Sequence, residues 1–217
     1  MAAPPEITCT NLSGKGAFVD RDENKSLSDD TDPMLALQGL SWLTRTAIRL
    51  ATVVLTIKEY KQDDIYHVDI TSVASGLSTT QENRTLDWKE REHADRIFGN
   101  CRGKSRLWKT GEFNMEGPGS EEDAAFLQAH KLKDGETDSK FLDDEHVQSL
   151  VKNVDDAGGW QAEMVWGFEE INGERRYTRR IVVWKNAEFQ RVRLVYDYKG
   201  PAEKKDNDEA DLAYGDE

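Results

Sequence analysis

Residues 160–198 read WQAEMVWGFEEINGERRYTRRIVVWKNAEFQRVRLVYDY, three long strands joined by two tight reversals. Asn172-Gly173 is the first reversal: a type I′ turn needs positive φ at both central positions, which Asn tolerates and Gly adopts freely. Lys185-Asn186-Ala187-Glu188 makes the second. Each strand runs to about ten residues or more, against roughly five or six in most proteins, and strands of that length wind around a barrel better than they stack in a small sandwich. A barrel has an inside, and that inside is where function is expected.

Working outward, the 217-residue chain is long enough to bury a sizeable core as one domain. Its 37% hydrophobic and 33% charged residues are averages over an ordered middle and polar ends, since Met1 to Thr10 and Gly200 to Glu217 lack periodic apolar residues. The expected division is a disordered leader at 1–11, one barrel domain at 12–198 with an acidic insertion at 111–144, and an acidic disordered tail at 199–217. The insertion, GEFNMEGPGSEEDAAFLQAHKLKDGETDSKFLDD, holds one or two helical turns at Glu122 to Leu132 and reads equally as a functional lid or as plain disorder.

A net charge of −13 argues against nucleic acid or anionic membrane as a partner, because such binding rests on neutralising phosphates with Lys and Arg. Arg175, Arg176, Arg179, Arg180, Lys185, Arg191 and Arg193 are a local exception. They form either a solvated outer face cross-paired with Glu169, Glu170 and Glu188 or a charged pocket wall. Cys9 and Cys101 are too few for a disulfide framework. No run of about 18 apolar residues is present, so no integral membrane association is expected and a reduced, cytosolic protein follows; several charges on the exposed barrel faces favour a monomer. The four His residues, His67, His93, His130 and His146, show no metal-ligand spacing, and no phosphate-cradling motif occurs. No cofactor is expected.

Upstream of the quoted stretch, Leu12 to Val19 reads as a first strand. Asp32-Pro33 starts a short helix that Gly39 interrupts, and Ser41 caps a second, in which Leu43, Ala47 and Leu50 share a face. From Ala51 the period changes to two. Val53, Leu55 and Ile57 alternate in one strand, and after a turn at Gln62-Asp63-Asp64, Tyr66, Val68 and Ile70 alternate in the next. Further strands are read at Thr80 to Trp88, His93 to Cys101, Lys104 to Thr110 and His146 to Asn153, with a turn at Arg102-Gly103. The fold class is mainly β: an antiparallel up-and-down barrel of about ten strands with a helix-turn-helix lid between strands 1 and 2.

That layout, together with LSGK near the start, DDTDPMLALQGLSWLTRTAI in the lid, RTLDWKER and GKSRL in the middle and RVRLVYDY at the end, resembles the intracellular lipid-binding, fatty-acid-binding branch of the calycin superfamily. The run SLSDDTDPMLALQGLSWLTR is similar to small lipocalin-like proteins of filamentous fungi. The resemblance implies a lidded barrel around an apolar ligand. Fatty-acid-binding chains typically end in Arg-x-Tyr, whereas Arg193 and Tyr196 are three apart and face opposite sides of a strand, so carboxylate binding is not part of what is implied here.

Candidate ligand-binding residues are Trp42, Tyr66, Trp88, Trp108, Met164, Trp166, Phe168, Arg180, Trp184 and Tyr196. Two strand faces compete. If Trp184 points inward, Thr178, Arg180 and Val182 come with it; if Trp166 does, Met164 and Phe168 come with it. Arg180 is the preferred buried cation, with Asp69, Glu163 or an anionic ligand group as its partner. His67, Asp69 and Arg180 are the catalytic candidates. Two functions follow: binding or carriage of a hydrophobic small molecule such as a lipid, terpenoid or polyketide, or a cofactor-independent isomerase, cyclase or lyase that folds a hydrophobic intermediate of a fungal natural-product pathway. An interaction module acting through the insertion and tail is the third.

Overall fold

The computed structural model describes residues 1–12, 16–20, 27–75, 78–155 and 159–201. The expected order of elements is present: β1 (Gly16–Asp20), α1 (Asp32–Leu37), α2 (Trp42–Leu50), β2 (Val53–Gln62), β3 (Ile65–Ala74), β4 (Ser78–Thr85), β5 (Arg91–Asp95), β6 (Gly99–Lys109), α3 (Glu121–Leu127), β7 (Glu145–Asn153), β8 (Gln161–Ile171), β9 (Glu174–Lys185) and β10 (Glu188–Pro201). The ten strands form one antiparallel sheet in the order β4-β3-β2-β1-β10-β9-β8-β7-β6-β5. Because β1 pairs with both β2 and β10, first and last strands meet. The sheet's two free edges are therefore β4 and β5, neighbours in sequence. The chain crosses this seam by leaving β4 for β6: Trp88 N–H donates to Ser105 O at 2.8 Å, and Asp87 bridges Arg106. The architecture is an up-and-down antiparallel sheet curled around an interior, with one unpaired seam among the described residues.

The turns follow local chemistry. Asn172 (φ 55°) and Gly173 (φ 77°) make the β8–β9 reversal, and Asp63 and Asp64, at 49° and 63°, make that between β2 and β3. The turn expected at Arg102-Gly103 lies instead between β5 and β6. Asp95 Oδ1 accepts from Ile97 N (2.6 Å) and Phe98 N (2.8 Å), and Gly99 supplies a φ of 75°. An Asp side chain that mimics a backbone turn outcompetes a Gly that a strand tolerates. The first helix is likewise set differently: Thr31 is its N-cap without a side-chain bond, Asp32 lies in the first turn, and Ser41 caps α2 as expected, accepting from Thr44 N.

The expected disordered leader packs as a plug. Ala3, Ile7, Cys9 and Leu12 are buried with Leu55, Ile57, Val68, Ile70, Val147, Trp166, Phe168, Tyr177, Tyr196 and Tyr198, filling one end of the barrel. Backbone bonds fix it: Ala3 N donates to Arg175 O at 2.7 Å, and Arg175 Nη2 returns a bond to Ile7 O at 3.0 Å. Apolar residues at 3, 7 and 12 match neither strand nor helix period, so periodicity does not reveal them. Of the expected tail, 199–201 continue β10 and the remainder lies outside the described residues, as do positions 13–15 of the expected first strand.

The insertion is ordered too, as a second layer over the outer face of β6 to β10. Phe126 and Leu127 of α3 are buried with Trp108, Val165, Val182 and Trp184, and Phe113, Met115 and Phe141 pack on them. Ser120 and Asp123 close a capping box at the start of α3. Gly117 and Gly119 lie against Trp184, where a Cβ on either would stand 2.5 and 2.6 Å from the indole, so the loop crosses Trp184 only as glycine. This cover explains an unbroken buried run in β9, Tyr177 to Trp184, where a half-solvated strand would alternate. At the end opposite the plug, Met34 and Leu35 of α1 pack with Cys101, Trp160, Ala162, Ile181, Val183 and Val192. α2 rides outside, with Trp42, Leu43 and Leu50 about 70% exposed and Ile48 packed against the cluster under α1.

Candidate functional site

Between plug and lid lies a cavity of about 460 Å³, a size suited to a small organic ligand. One wall is apolar: Met34 from α1, Phe98 from the β5–β6 turn, Val151 from β7, Trp160 just before β8, Ala162 and Met164 at its start, and Ile181 from β9. Phe98 and Trp160 meet edge to face at 5.9 Å. The other wall is polar: Glu82 and Arg84 from β4, Arg91, His93 and Asp95 from β5, and Ser105 from β6. Strand register sets this division. Arg84 stands opposite Val68 and Glu82 opposite Ile70; Val68 and Ile70 face the core, so the two charges do as well.

Arg84 organises the polar wall. Its Nη2 and Nε donate to Glu82 Oε2 at 2.7 and 3.2 Å, and its Nη1 donates to Ser149 Oγ at 2.6 Å. Ser149 and Ser105 are joined at 3.1 Å. Burial raises the pKa of Glu82, but the guanidinium groups of Arg84 and Arg179 outweigh it and hold the carboxyl below its ordinary value. The wall thus presents fixed donors to a ligand oxygen while Glu82 remains an anion.

Of the residues expected to bind ligand, Met164 lines the cavity. Trp166 lies in the interior beneath it, and Phe168 and Tyr196 are deeper, packed on the plug. Tyr66 shares the face of Val68 and is half-buried. The others lie elsewhere. Trp42 is exposed on α2. Trp88 packs under Lys104 and Arg106, at 4.3 and 4.2 Å from its ring. Trp108 and Trp184 are sealed beneath the insertion. His67 and Asp69 point outward from β3, with His67 stacked on Tyr60 at 5.0 Å and 7°. They form no group in the barrel mouth.

Arg180 is buried as expected, but on the outer face. It donates to both carboxylate oxygens of Glu169 (2.9 and 2.7 Å), to Phe126 O, to Lys131 O and to Ser139 Oγ. Its partner is therefore Glu169 rather than Asp69, Glu163 or a ligand, and it pins the insertion to the sheet. Sequence reasoning missed Glu82, Arg84 and Trp160, and named Arg179 only as one member of the local cation cluster. For the β4 pair a signal existed: placing Val68 and Ile70 inward and folding the next strand back as a hairpin puts Glu82 and Arg84 inside.

His146, fully buried under the insertion, bonds Thr110 Oγ1 through Nε2 at 3.1 Å and lies 4.5 Å from the Trp108 ring and 4.3 Å from Phe141. Burial pushes its pKa down from 6.5 to about 4, against the field of Asp144. The unfolded chain then binds a proton that the folded chain refuses, so the stability it contributes is present above pH 6.5 and is lost as pH falls towards 4. Full loss amounts to roughly 3 kcal/mol. Urea unfolding of wild type and His146→Phe across this window is expected to show a steeper acid-side decline in the wild type; parallel curves would refute it.

No family model matches the chain. Over 207 residues, 94% of this chain and 98% of the relative, it is 29% identical to a probable pericyclase of Mollisia scopiformis. Over 204 residues, 93% and 98% of the two chains, it is 28% identical to a pericyclase of an Acremonium species. Among solved structures it is similar to Caenorhabditis elegans lipid binding protein 8 (TM-score 0.49, 10% identity, 86% of this chain and 96% of that one). It is also similar to Echinococcus granulosus fatty-acid-binding protein 1 (TM-score 0.48, 9% identity, 87% and 98%). Among the described residues, no helix is long and apolar enough to cross a membrane.

Proposed function

We propose that this protein is a cofactor-independent pericyclase-type isomerase or cyclase that folds a hydrophobic, polyunsaturated intermediate of a fungal natural-product pathway inside its barrel. The observation that carries the reading is the half-apolar, half-donor cavity in a chain that aligns with pericyclases over nearly its whole length. A pericyclic reaction exchanges π bonds for σ bonds within one molecule or pair of molecules. It consumes no oxidant and needs no net proton transfer, so a wall without a catalytic triad suits it.

Two contributions then come from this chain. The apolar wall of Trp160, Phe98, Met164 and Ile181 holds the chain of the substrate in a reactive fold, and holding reacting ends together lowers a barrier by several kcal/mol, up to about 7–11 for ideal geometry. Arg84, fixed by Glu82 and Ser149, donates to a carbonyl conjugated with the reacting π system and withdraws electron density from it as the bonds form.

Carriage of a lipid, terpenoid or polyketide would use the same cavity, and turnover separates the two. Deleting the gene from its host is expected to cause accumulation of an uncyclised isomer with the mass of the normal product, which purified protein converts without added cofactor. An unchanged metabolite profile, or an extract that the protein binds without converting, would overturn the enzymatic reading.

A further inference from the structure

The cavity is lined differently at the seam than elsewhere. On β7, β8 and β9 it touches Val151, Ala162, Met164 and Ile181, all on the inner face of the sheet. On β4 it touches every residue from Thr80 to Thr85. Thr80, Glu82 and Arg84 stand opposite Ser72, Ile70 and Val68 and face inward, so Gln81, Asn83 and Thr85 face outward, and Thr85 Oγ1 meets the outward His67 at 3.3 Å. Glu92 on β5 faces outward too, because its neighbour His93 pairs with the buried Cys101, and it also lines the cavity. So does Lys104, where β6 runs on past its last partner in β5. Lining residues that face outward thus lie on both sides of the seam, and the cavity reaches the outside between β4 and β5.

The two margins are unpaired with each other. Only one end of the seam is shut, where Arg84 Nη1 donates to Ser149 Oγ and Asp87 bridges Arg106. The helix pair, by contrast, is tied down. Just before α1, Asp29 N donates to Arg193 O at 2.9 Å, Asp29 Oδ2 accepts from Arg193 N at 2.8 Å, and Ser28 Oγ accepts from Val195 N at 2.9 Å. Lys133 of the insertion reaches Asp29 Oδ1 at 2.9 Å. Met34 and Leu35 of α1 are buried, Arg45 of α2 pairs with Asp32 of α1 at 3.1 Å, and no residue of α2 lines the cavity.

We infer that the guest enters and leaves through the seam between β4 and β5, with α1 and α2 as a fixed cover. The rim of this port carries Glu82, Lys89, Arg91, Glu92, His93 and Lys104. Charges of both signs at a mouth keep it hydrated and give it no apolar surface to bury in a bilayer, so the guest is taken up from water or from a soluble donor. The inference concerns access to the cavity and holds for an enzyme and a carrier alike.

The test follows the binding of Nile red, a neutral dye that brightens in apolar surroundings, to the full chain by stopped-flow fluorescence. Asn83→Trp and Glu92→Trp each place a large side chain at an exposed position on one margin, away from the apolar wall. Each is expected to slow association and dissociation together by about fivefold or more, with Kd within about twofold of the wild type. Asp29→Ala, which loosens the cover, is expected to leave both rates within about twofold. Wild-type rates in both Trp variants, with faster exchange in Asp29→Ala, would put the entrance under the helices and overturn the inference. Weaker binding at an unchanged association rate in the Trp variants would also overturn it, since the rim would then be a contact and not a passage. Should one Trp variant fail to fold, the other margin decides. Absence of dye binding to the wild type would overturn the port and the cavity's role as a ligand site together.

Discussion

Arg180→Met is expected to unfold at markedly lower urea concentration than the wild type, with a loss of roughly 3–5 kcal/mol. The reason is the number of groups it would strand. Arg180 is fully buried and serves Glu169, two backbone carbonyls of the α3 region and Ser139. Removing it leaves Glu169 with Arg193 at 3.1 Å and Thr178 at 2.7 Å, and leaves the carbonyls of Phe126 and Lys131 buried without that donor. Burial raises the pKa of Glu169, but Arg180 and Arg193 hold it below its ordinary value, so the stability it contributes is present above the unfolded carboxylate pKa and is lost as pH falls through the folded one. A double replacement, Arg180→Met with Glu169→Met, is expected to cost less than the sum of the two single ones, since neither charge is then left alone. Turnover per folded molecule should be retained in Arg180→Met, because the side chain lies on the outer face of the sheet. A variant that folds normally but has lost its activity would restore Arg180 to the pocket and refute this placement.

Ala162→Phe is expected to have the opposite profile: turnover reduced by about 100-fold or more with stability close to wild type. Ala162 lines the cavity and packs with Trp160, Ile181 and Val183 below α1. A phenyl ring placed there occupies room that the cavity already provides, so overpacking strain stays at or below the usual 1–3 kcal/mol range, roughly. The substrate, however, loses the surface that folds it. Single-turnover assays and thermal unfolding of the same preparation check both halves. Normal turnover by a stable Ala162→Phe would remove the cavity from the mechanism.

Much of the fold was legible because backbone chemistry is local. Asn172-Gly173 and Asp63-Asp64 announce reversals through positive φ, and two-residue alternation in Val53 to Ile57 and Tyr66 to Ile70 announces the strands between them. The site was legible only in part, and the cause is the second layer. Once the insertion covers the outer face, β8 and β9 become apolar on both sides, and the rule that the apolar face is the inner one stops discriminating. Trp166 and Trp184 were equal candidates for that reason; only the plug at Ile7 and the cover at Phe126 show which faces the interior. Arg180 and Arg179 exchanged roles through the same ambiguity, since one residue along a strand is one side of a sheet. Trp160 precedes β8 instead of lying within it, so strand alternation assigns it no face.

The unpaired seam has a cost unrelated to any guest. Two strand margins with spare N–H and C=O groups can recruit a margin from another molecule, which is how soluble sheets begin to stack into aggregates. Here the exposed margins read STTQENRT in β4 and REHAD in β5, without a large apolar side chain and with charges of both signs. A foreign strand docking there would bury those charges against its own backbone. The polar wall that faces the cavity and the chemistry that keeps neighbouring molecules apart are thus written in the same thirteen positions, and substitutions made there to enlarge the range of guests should be screened for solubility first.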